Sequence, residues 1–218
     1  MDLVCGNRLL SLDRVAIMGV VNVTPDSFSD GGRYEKLVDA VKRGRDLVSR
    51  GANLIDVGGE STKPGSGGID VEEEIRRVIP VIKELAQQIT VPISIDTSKP
   101  EVMKAAVEAG ATLINDVWAL RKEGAVATAR ALGVPICLMH MQGTPETMQD
   151  RPCYGNVVKE VKKFLLERVN VCLDSGIPRE RLLVDPGFGF GKNFNHNRSL
   201  ILELNKLDEL GLPITVGF

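Results

Sequence analysis

Histidine is almost missing from this 218-residue chain: there are two, His140 and His196, far apart. A histidine-based metal centre is thereby excluded, since such sites need several imidazoles at recurrent spacing. Four cysteines, Cys5, Cys137, Cys153 and Cys172, form no CxxC pair. Their scatter speaks against structural zinc or a disulfide framework, and for reduced thiols in a cytoplasmic protein. Neither sign of charge dominates, since 27 basic and 29 acidic residues leave a net of -2. With no basic patch interleaved with aromatics, nucleic acid is not an expected partner. No apolar run nears the roughly 20 residues of a membrane span. The start, MDLVCGNRLL, has neither the basic lead nor the long apolar stretch of a signal peptide. With 43% hydrophobic residues and no internal repeat or linker, residues 1–218 read as a single domain with a sizeable core.

What the chain does have is six short apolar runs, each ending in a polar residue: Asn22, Asp56, Asp96, Asn115, His140 and Asp185. Most of the intervening segments are long enough for a helix, and buried strands alternating with helices describe parallel βα units. Core strands are expected at 17–21, up to 57, 93–96, up to 116, 136–139, 182–185 and 214–217. Helices are expected at 35–50, 71–88, from Pro100 to Gly110, and at 125–132, 157–174 and 199–210. A hairpin over 4–14, turning at Gly6-Asn7, precedes them. The expected fold is α/β, a TIM (β/α)8 barrel lacking its C-terminal βαβα portion in this chain. An open doubly wound sheet is the alternative, but it concentrates its site at one crevice, whereas here motif-bearing loops follow five strands. In a barrel the polar strand ends converge on the carboxyl rim, where chemistry resides.

The loop opened by Asn22 runs through Thr24, Asp26, Phe28 and Asp30 to Gly32, longer than the usual βα connection of about 2 to 6 residues, and reads as a binding loop. The next, Gly58-Gly59-Glu60-Ser61-Thr62-Lys63-Pro64-Gly65-Ser66, offers hydroxyls, backbone amides and a cation suited to a phosphate, without P-loop spacing. Asp96, Asn115 and Asp185 end strands, and each alone is an acceptable helix cap. Three facing inward match a flat heterocycle with adjacent N–H donors, because buried carboxylates need such partners. In Asp185-Pro186-Gly187-Phe188-Gly189-Phe190-Gly191-Lys192 the glycines permit close backbone approach and the phenylalanines can pack on a ring; GxGxG is not the dinucleotide GxGxxG. Met139 can pad an aromatic ligand, while His140 reads as a core or rim residue before a catalyst.

Six segments in order carry a resemblance: M-G-V-V-N-V-T-P-D-S-F-S-D-G-G from Met18, D-V-G-G-E-S-T-K-P-G from Asp56, S-I-D-T-S-K-P from Ser94, I-N-D-V from Ile114, L-M-H-M-Q-G from Leu138 and D-P-G-F-G-F-G-K from Asp185. Over essentially the whole chain it is similar to the dihydropteroate synthase family, pterin-binding enzymes of folate biosynthesis that sulfonamides inhibit. The resemblance implies condensation of 6-hydroxymethyl-7,8-dihydropterin diphosphate with 4-aminobenzoate to give 7,8-dihydropteroate and diphosphate. It assigns catalysis to Asn22, Asp96 and Asp185, with Asn22 helping to bind Mg²⁺. Thr62, Asp96, Asn115, Met139 and Asp185 would hold the pterin diphosphate, and Phe28, Thr62, Lys63, Pro64 and Phe190 the aminobenzoate. A homodimer is implied for the full-length form. Lys63 stands where many members carry arginine, which keeps the charge but loses the fork. The family's later Ser-Arg-Lys and Arg-x-His segments are absent, so the 218-residue chain alone is expected to turn over very poorly. A pterin-binding methyltransferase domain and a non-catalytic pterin-binding fragment are the alternatives; a Schiff-base aldolase fits poorly, because Lys63, Lys99 and Lys192 lie in loops.

Overall fold

Gly6 and Asn7 turn the chain back on itself at once. Strand β1 (Asp2–Cys5) pairs antiparallel with β2 (Arg8–Ser11), and Gly6 takes φ +64°, as a tight hairpin turn requires. The computed structural model describes residues 2–24, 33–61 and 67–217. Leu3, Cys5 and Leu10 of the hairpin pack against Leu54, Leu113, Cys137 and Leu183, which lie early in four core strands. The Arg8 guanidinium donates to the carbonyls of Ala86 and Ile89 at 3.2 and 3.0 Å. The hairpin thus covers the amino ends of the strands and leaves the carboxyl ends for a ligand.

The core strands are β3 (Met18–Asn22), β4 (Leu54–Gly58), β5 (Ile93–Asp96), β6 (Leu113–Asp116), β7 (Ile136–Met139) and β8 (Leu182–Asp185). Each pairs in parallel with the next in chain order. A doubly wound sheet would reverse its order at a switch point, and this one never does. The arrangement is that of consecutive strands in a (β/α)8 barrel. The strand expected at 214–217 is reduced to a single parallel bridge between Val184 and Ile214. Two hydrogen bonds frame it: Val184 N–H to Pro213 O at 3.0 Å and Thr215 N–H to Val184 O at 2.8 Å.

Helices α1 (Arg33–Ser49), α2 (Val71–Gln88), α3 (Pro100–Ala109), α4 (Ala125–Leu132), α5 (Val157–Asp174) and α6 (Phe194–Leu202) follow the strands. Their local causes are readable. Asp70 caps α2 by accepting from Glu73 N–H at 2.7 Å, three glutamates occupy the first turn, and Val78, Val81, Ile82 and Leu85 form the buried stripe. Pro80 is tolerated because it lies on the exposed side. Pro100 starts α3 and Gly110, at φ 118°, ends it. Outward strand residues such as Ile55, Ile95, Ile114 and Val184 are fully buried beneath the helices.

One helix departs from expectation. Where a single helix over 199–210 was expected, α6 begins five residues earlier and a 3₁₀ helix (Leu204–Leu210) follows. The early start comes from Asn193, whose side chain accepts from His196 N–H at 2.9 Å, while the His196 ring accepts from Asn193 N–H at 3.2 Å. This is a capping box with histidine in the place of the usual Glu or Gln, which hides it from pattern reading. The 3₁₀ turn suits its sequence: Leu204, Leu207 and Leu210 recur every three residues, the period of that helix, with the last two buried. Asn193→Ala is expected to cost about 1 kcal/mol of unfolding free energy. Urea titration checks this; no loss would mean that the box does not hold the start of α6.

Candidate active site

Alternation along the strands sorts the polar residues into those that face the barrel interior and those that do not. Parallel register puts Asn22 beside Gly58, Gly58 beside Asp96, and Asp96 beside Asn115, one continuous inward row at the carboxyl ends of β3 to β6. Gly58 leaves this row open: a Cβ there would lie 3.4 Å from Asp96 Oδ2 and 3.5 Å from Asn22 Oδ1. On the far side of the sheet Asp185 pairs in register with Met139. Met139 belongs to an apolar cluster with Val117, Met141 and Met148, against which Trp118 and Phe190 pack. A row of carboxylates and amides thus shares the barrel mouth with a sulfur- and aromatic-rich wall.

The charges here are held under strain. Burial, reinforced by the charges of Asp56, Asp116, Glu74 and Glu60, raises Asp96 well above the ordinary carboxylate range. Burial pushes Asp185 up to about 6, opposed by the Gly187 N–H, which donates to its Oδ1 at 2.7 Å, and by Lys192. Burial thus outweighs the described donors at these carboxylates, and a ligand edge carrying N–H groups would favour their charge.

Two polar neighbours do not join the mouth. His140 follows Met139 and so turns to the outer side, where its ring packs edge-on against Phe164 at 4.9 Å. Burial and the Lys192 charge drive its pKa down to about 3, so it stays neutral. Convergence of all six polar strand ends therefore fails at His140, because alternation gives the inward position to Met139. Asp116 also faces away from the mouth and caps its own loop, accepting from Trp118 N–H and Leu120 N–H at 2.8 Å each.

The glycine-rich loop after β8 is bound to the loop after β7. A Cβ on Gly187 (φ +66°) would sit 1.9 Å from His140 O, and one on Gly191 (φ +65°) 2.6 Å from Gln142 O. Gly187 and Gly191 thus serve backbone-to-backbone packing, whereas a Cβ on Gly189 would meet nothing within 4 Å.

Residues 18–218 match the model of the family described as pterin binding enzyme. Dihydropteroate synthase of Escherichia coli (strain K12) is 49% identical over 217 residues, covering 100% of this chain and 77% of its relative. The structure of Xanthomonas albilineans dihydropteroate synthase with 4-aminobenzoic acid superposes with a TM-score of 0.94 at 52% identity, over 100% of this chain and 77% of that one. A Yersinia pestis dihydropteroate synthase in a sulfonamide drug complex gives 0.95 at 45% identity, over 100% and 79%.

The chain belongs to the dihydropteroate synthase family.

Of the residues that membership brings into question, Asn22, Asp96, Asn115, Met139, Asp185 and Phe190 lie as described, at or beside the barrel mouth. Phe28, Thr62, Lys63 and Pro64 lie outside the described residues. The root of the second family loop is nevertheless visible. Lys99 is ion-paired with both Glu60 and the fully buried Glu74. Burial disfavours its charge, yet the two carboxylates win and raise its pKa, so it is no amine nucleophile. Arg77 donates to Gly59 O at 2.9 Å, and a Cβ on Gly59 would meet the Val78 side chain at 2.7 Å. The loop thereby starts from a base fixed to α2 and α3. Sequence reasoning gave no role to this network or to Lys192, and placed Asp56 at the rim only as one of six polar strand ends; buried charge on a helix face, as at Glu74, was the available signal.

Proposed function

We propose that this protein condenses 6-hydroxymethyl-7,8-dihydropterin diphosphate with 4-aminobenzoate, releasing diphosphate and 7,8-dihydropteroate, and that sulfonamides compete for the aminobenzoate site. The observation that carries this reading is the inward row Asn22–Gly58–Asp96–Asn115, with Asp185 across the sheet, at the open end of a barrel whose other end is covered. A dihydropterin is flat, and its edge bears an amino group and ring N–H donors. Asp185 and Asn115 accept from that edge, Asp96 holds the other side of the ring, and Met139 and Phe190 line the apolar wall.

In the reaction the bond between the pterin methylene carbon and the diphosphate oxygen breaks, leaving positive charge shared between the methylene and the ring. The carboxylates of Asp96 and Asp185 face that charge, fixed in advance and largely dry, which is where such groups act most strongly. The aniline nitrogen then bonds to the methylene carbon and gives up one proton. Asn22, exposed at the mouth with its amide oxygen toward the gap at Gly58, is a hard oxygen donor fitted to Mg²⁺, which takes few protein ligands beside phosphate oxygens. Bound there, Mg²⁺ would neutralise charge on the departing diphosphate. Among the described residues no cluster of three His, Cys, Asp or Glu competes for such an ion.

We further assign the protein to the cytoplasm, in keeping with its free cysteines, three of them buried, and to a homodimer by the family resemblance. No described helix is long and apolar enough to cross a membrane. Calorimetry with the pterin diphosphate is the test. Binding that strengthens with Mg²⁺ and precedes binding of 4-aminobenzoate is expected. A folded protein that takes up no pterin diphosphate under either condition overturns the reading.

A further inference from the structure

One carboxylate at the barrel mouth has no assigned task. Asp56 lies on β4, inward-facing and one level below Gly58, and it is only 4% exposed. Its neighbours along that level are Val20 and Ser94, with Leu113 next, the small and apolar residues a barrel interior normally holds. A buried carboxylate among them is costly unless it is well compensated. Compensation is incomplete: Asp56 Oδ1 and Ser94 Oγ are both buried without a hydrogen-bond partner. Burial raises the Asp56 pKa, opposed by the nearby Ser94 hydroxyl, which lies outside hydrogen-bonding geometry, and by Asn115. The strong contact is made by the other oxygen, for Asn115 Nδ2 donates to Asp56 Oδ2 at 3.1 Å.

That contact fixes more than a distance. An asparagine side chain has two orientations that differ by exchange of its oxygen and nitrogen, and the surrounding hydrogen bonds choose between them. While ionised, Asp56 only accepts and so takes the nitrogen, which is the orientation of the 3.1 Å contact. Asn115 Oδ1 is then turned away from Asp56, in the row it shares with Asp96. We propose that Asp56 is a positioning residue that selects this orientation of Asn115, so that the mouth offers the pterin edge an acceptor at Asn115 beside the carboxylate of Asp96. The flipped amide would put a donor where the ligand also donates. The inference rests on the pterin reading of the site and adds a residue one level beneath it.

The test is a double-mutant cycle on the protein with pterin diphosphate as the probe. Asp56→Val suits the apolar level and is expected to melt within a few degrees of the parent, because replacing a buried charge by a packed apolar side chain is often neutral or better. In the parent background it should weaken pterin diphosphate binding about tenfold, with the pterin KM rising and kcat little changed, the pattern of lost uniform binding. With Asn115→Ala already present, the same change should weaken binding less than about threefold, since the group through which Asp56 acts is gone. Equal losses in the two backgrounds, or unchanged affinity in the parent background, overturn the proposal while leaving the functional reading intact. Failure of the parent protein itself to bind the pterin overturns the functional reading and this inference together.

Discussion

Asp185→Asn is expected to weaken binding of pterin diphosphate by about 100-fold, while the protein melts no earlier than its parent. Both halves follow from where the carboxylate sits. Asp185 is buried, and among the described residues it is the Gly187 backbone N–H that donates to it. Asparagine keeps an oxygen for that N–H but replaces the second acceptor with a donor, which then opposes the donors of the pterin edge. Losing one partner of a charged, buried hydrogen-bonded pair usually costs about 2–5 kcal/mol, and 100-fold is the lower part of that range.

The sign for stability is opposite. The folded protein holds the Asp185 proton up to about pH 6, whereas an ordinary carboxyl has lost it by about pH 4. At neutral pH the native state therefore carries a penalty on the order of 3 kcal/mol, which disappears as pH falls from about 6 toward 4 and the native carboxyl takes up its proton ahead of the unfolded one. Removing the charge removes the penalty. For the same reason the part of the pterin affinity that Asp185→Asn removes should be flat above about pH 6 and fall below it, over a window in which Asp185 does not weaken the fold. Calorimetry and thermal melts between pH 5 and 8 separate the two effects. Unchanged affinity in Asp185→Asn, or a melting loss that parallels the binding loss, would refute the assignment.

Much of this architecture is written locally. The helices at 71–88, 125–132 and 157–174 begin and end where the sequence places them, because Asp70 and Asn156 are recognisable caps and Gly133 is a recognisable stop. The strands at 93–96, 136–139 and 182–185 are equally legible as short apolar runs bounded by polar residues. Legibility ends where a residue's meaning depends on a partner far away in the chain. His140 looked like another member of the polar rim; one step of strand alternation sends it instead against Phe164. The glycines of the loop after β8 looked like a ligand-binding device, yet Gly187 and Gly191 are required by the carbonyls of His140 and Gln142, about 50 residues earlier. Asp56 was visible as a strand end, but only the register from β4 through β5 to β6 brings it under Asn115. The α6 start was missed for a different reason, since a histidine at the third position of a capping box is chemically competent but seldom searched for.

Lys192 shows what such a distant partnership is worth. It is 2% exposed, and its Nζ donates to Gly187 O at 2.7 Å and Phe190 O at 2.9 Å and shares a hydrogen bond with His140 Nδ1 at 2.9 Å. Burial pulls the group down to about 7, and the Asp185 carboxylate opposes that pull. An ammonium donates to all three groups, whereas a neutral amine donates to the two carbonyls and accepts from an Nδ1–H of His140. The contact thereby links the Lys192 charge to the His140 tautomer: beside the ammonium, Nδ1 is bare and the proton sits on Nε2. Lys192 therefore clips the loop that carries Asp185 and Phe190 to the end of β7. Lys192→Met keeps most of the side-chain volume and removes every Nζ donor, leaving Phe190 O and the His140 ring nitrogen short of a partner, while Gly187 O keeps the Phe190 N–H at 3.1 Å. At about 1–3 kcal/mol for each of these two groups, offset by the relief of a buried charge, the net loss should be roughly 2–4 kcal/mol. Set against a total stability of about 5–15 kcal/mol, that lowers the urea midpoint by a large fraction. Pterin affinity should fall with it even where the variant is still folded, because Asp185 and Phe190 lose their common anchor. A Lys192→Met protein with an unfolding free energy within about 1 kcal/mol of the parent would show that the glycines alone hold this loop, and that the ammonium merely fills the space between them.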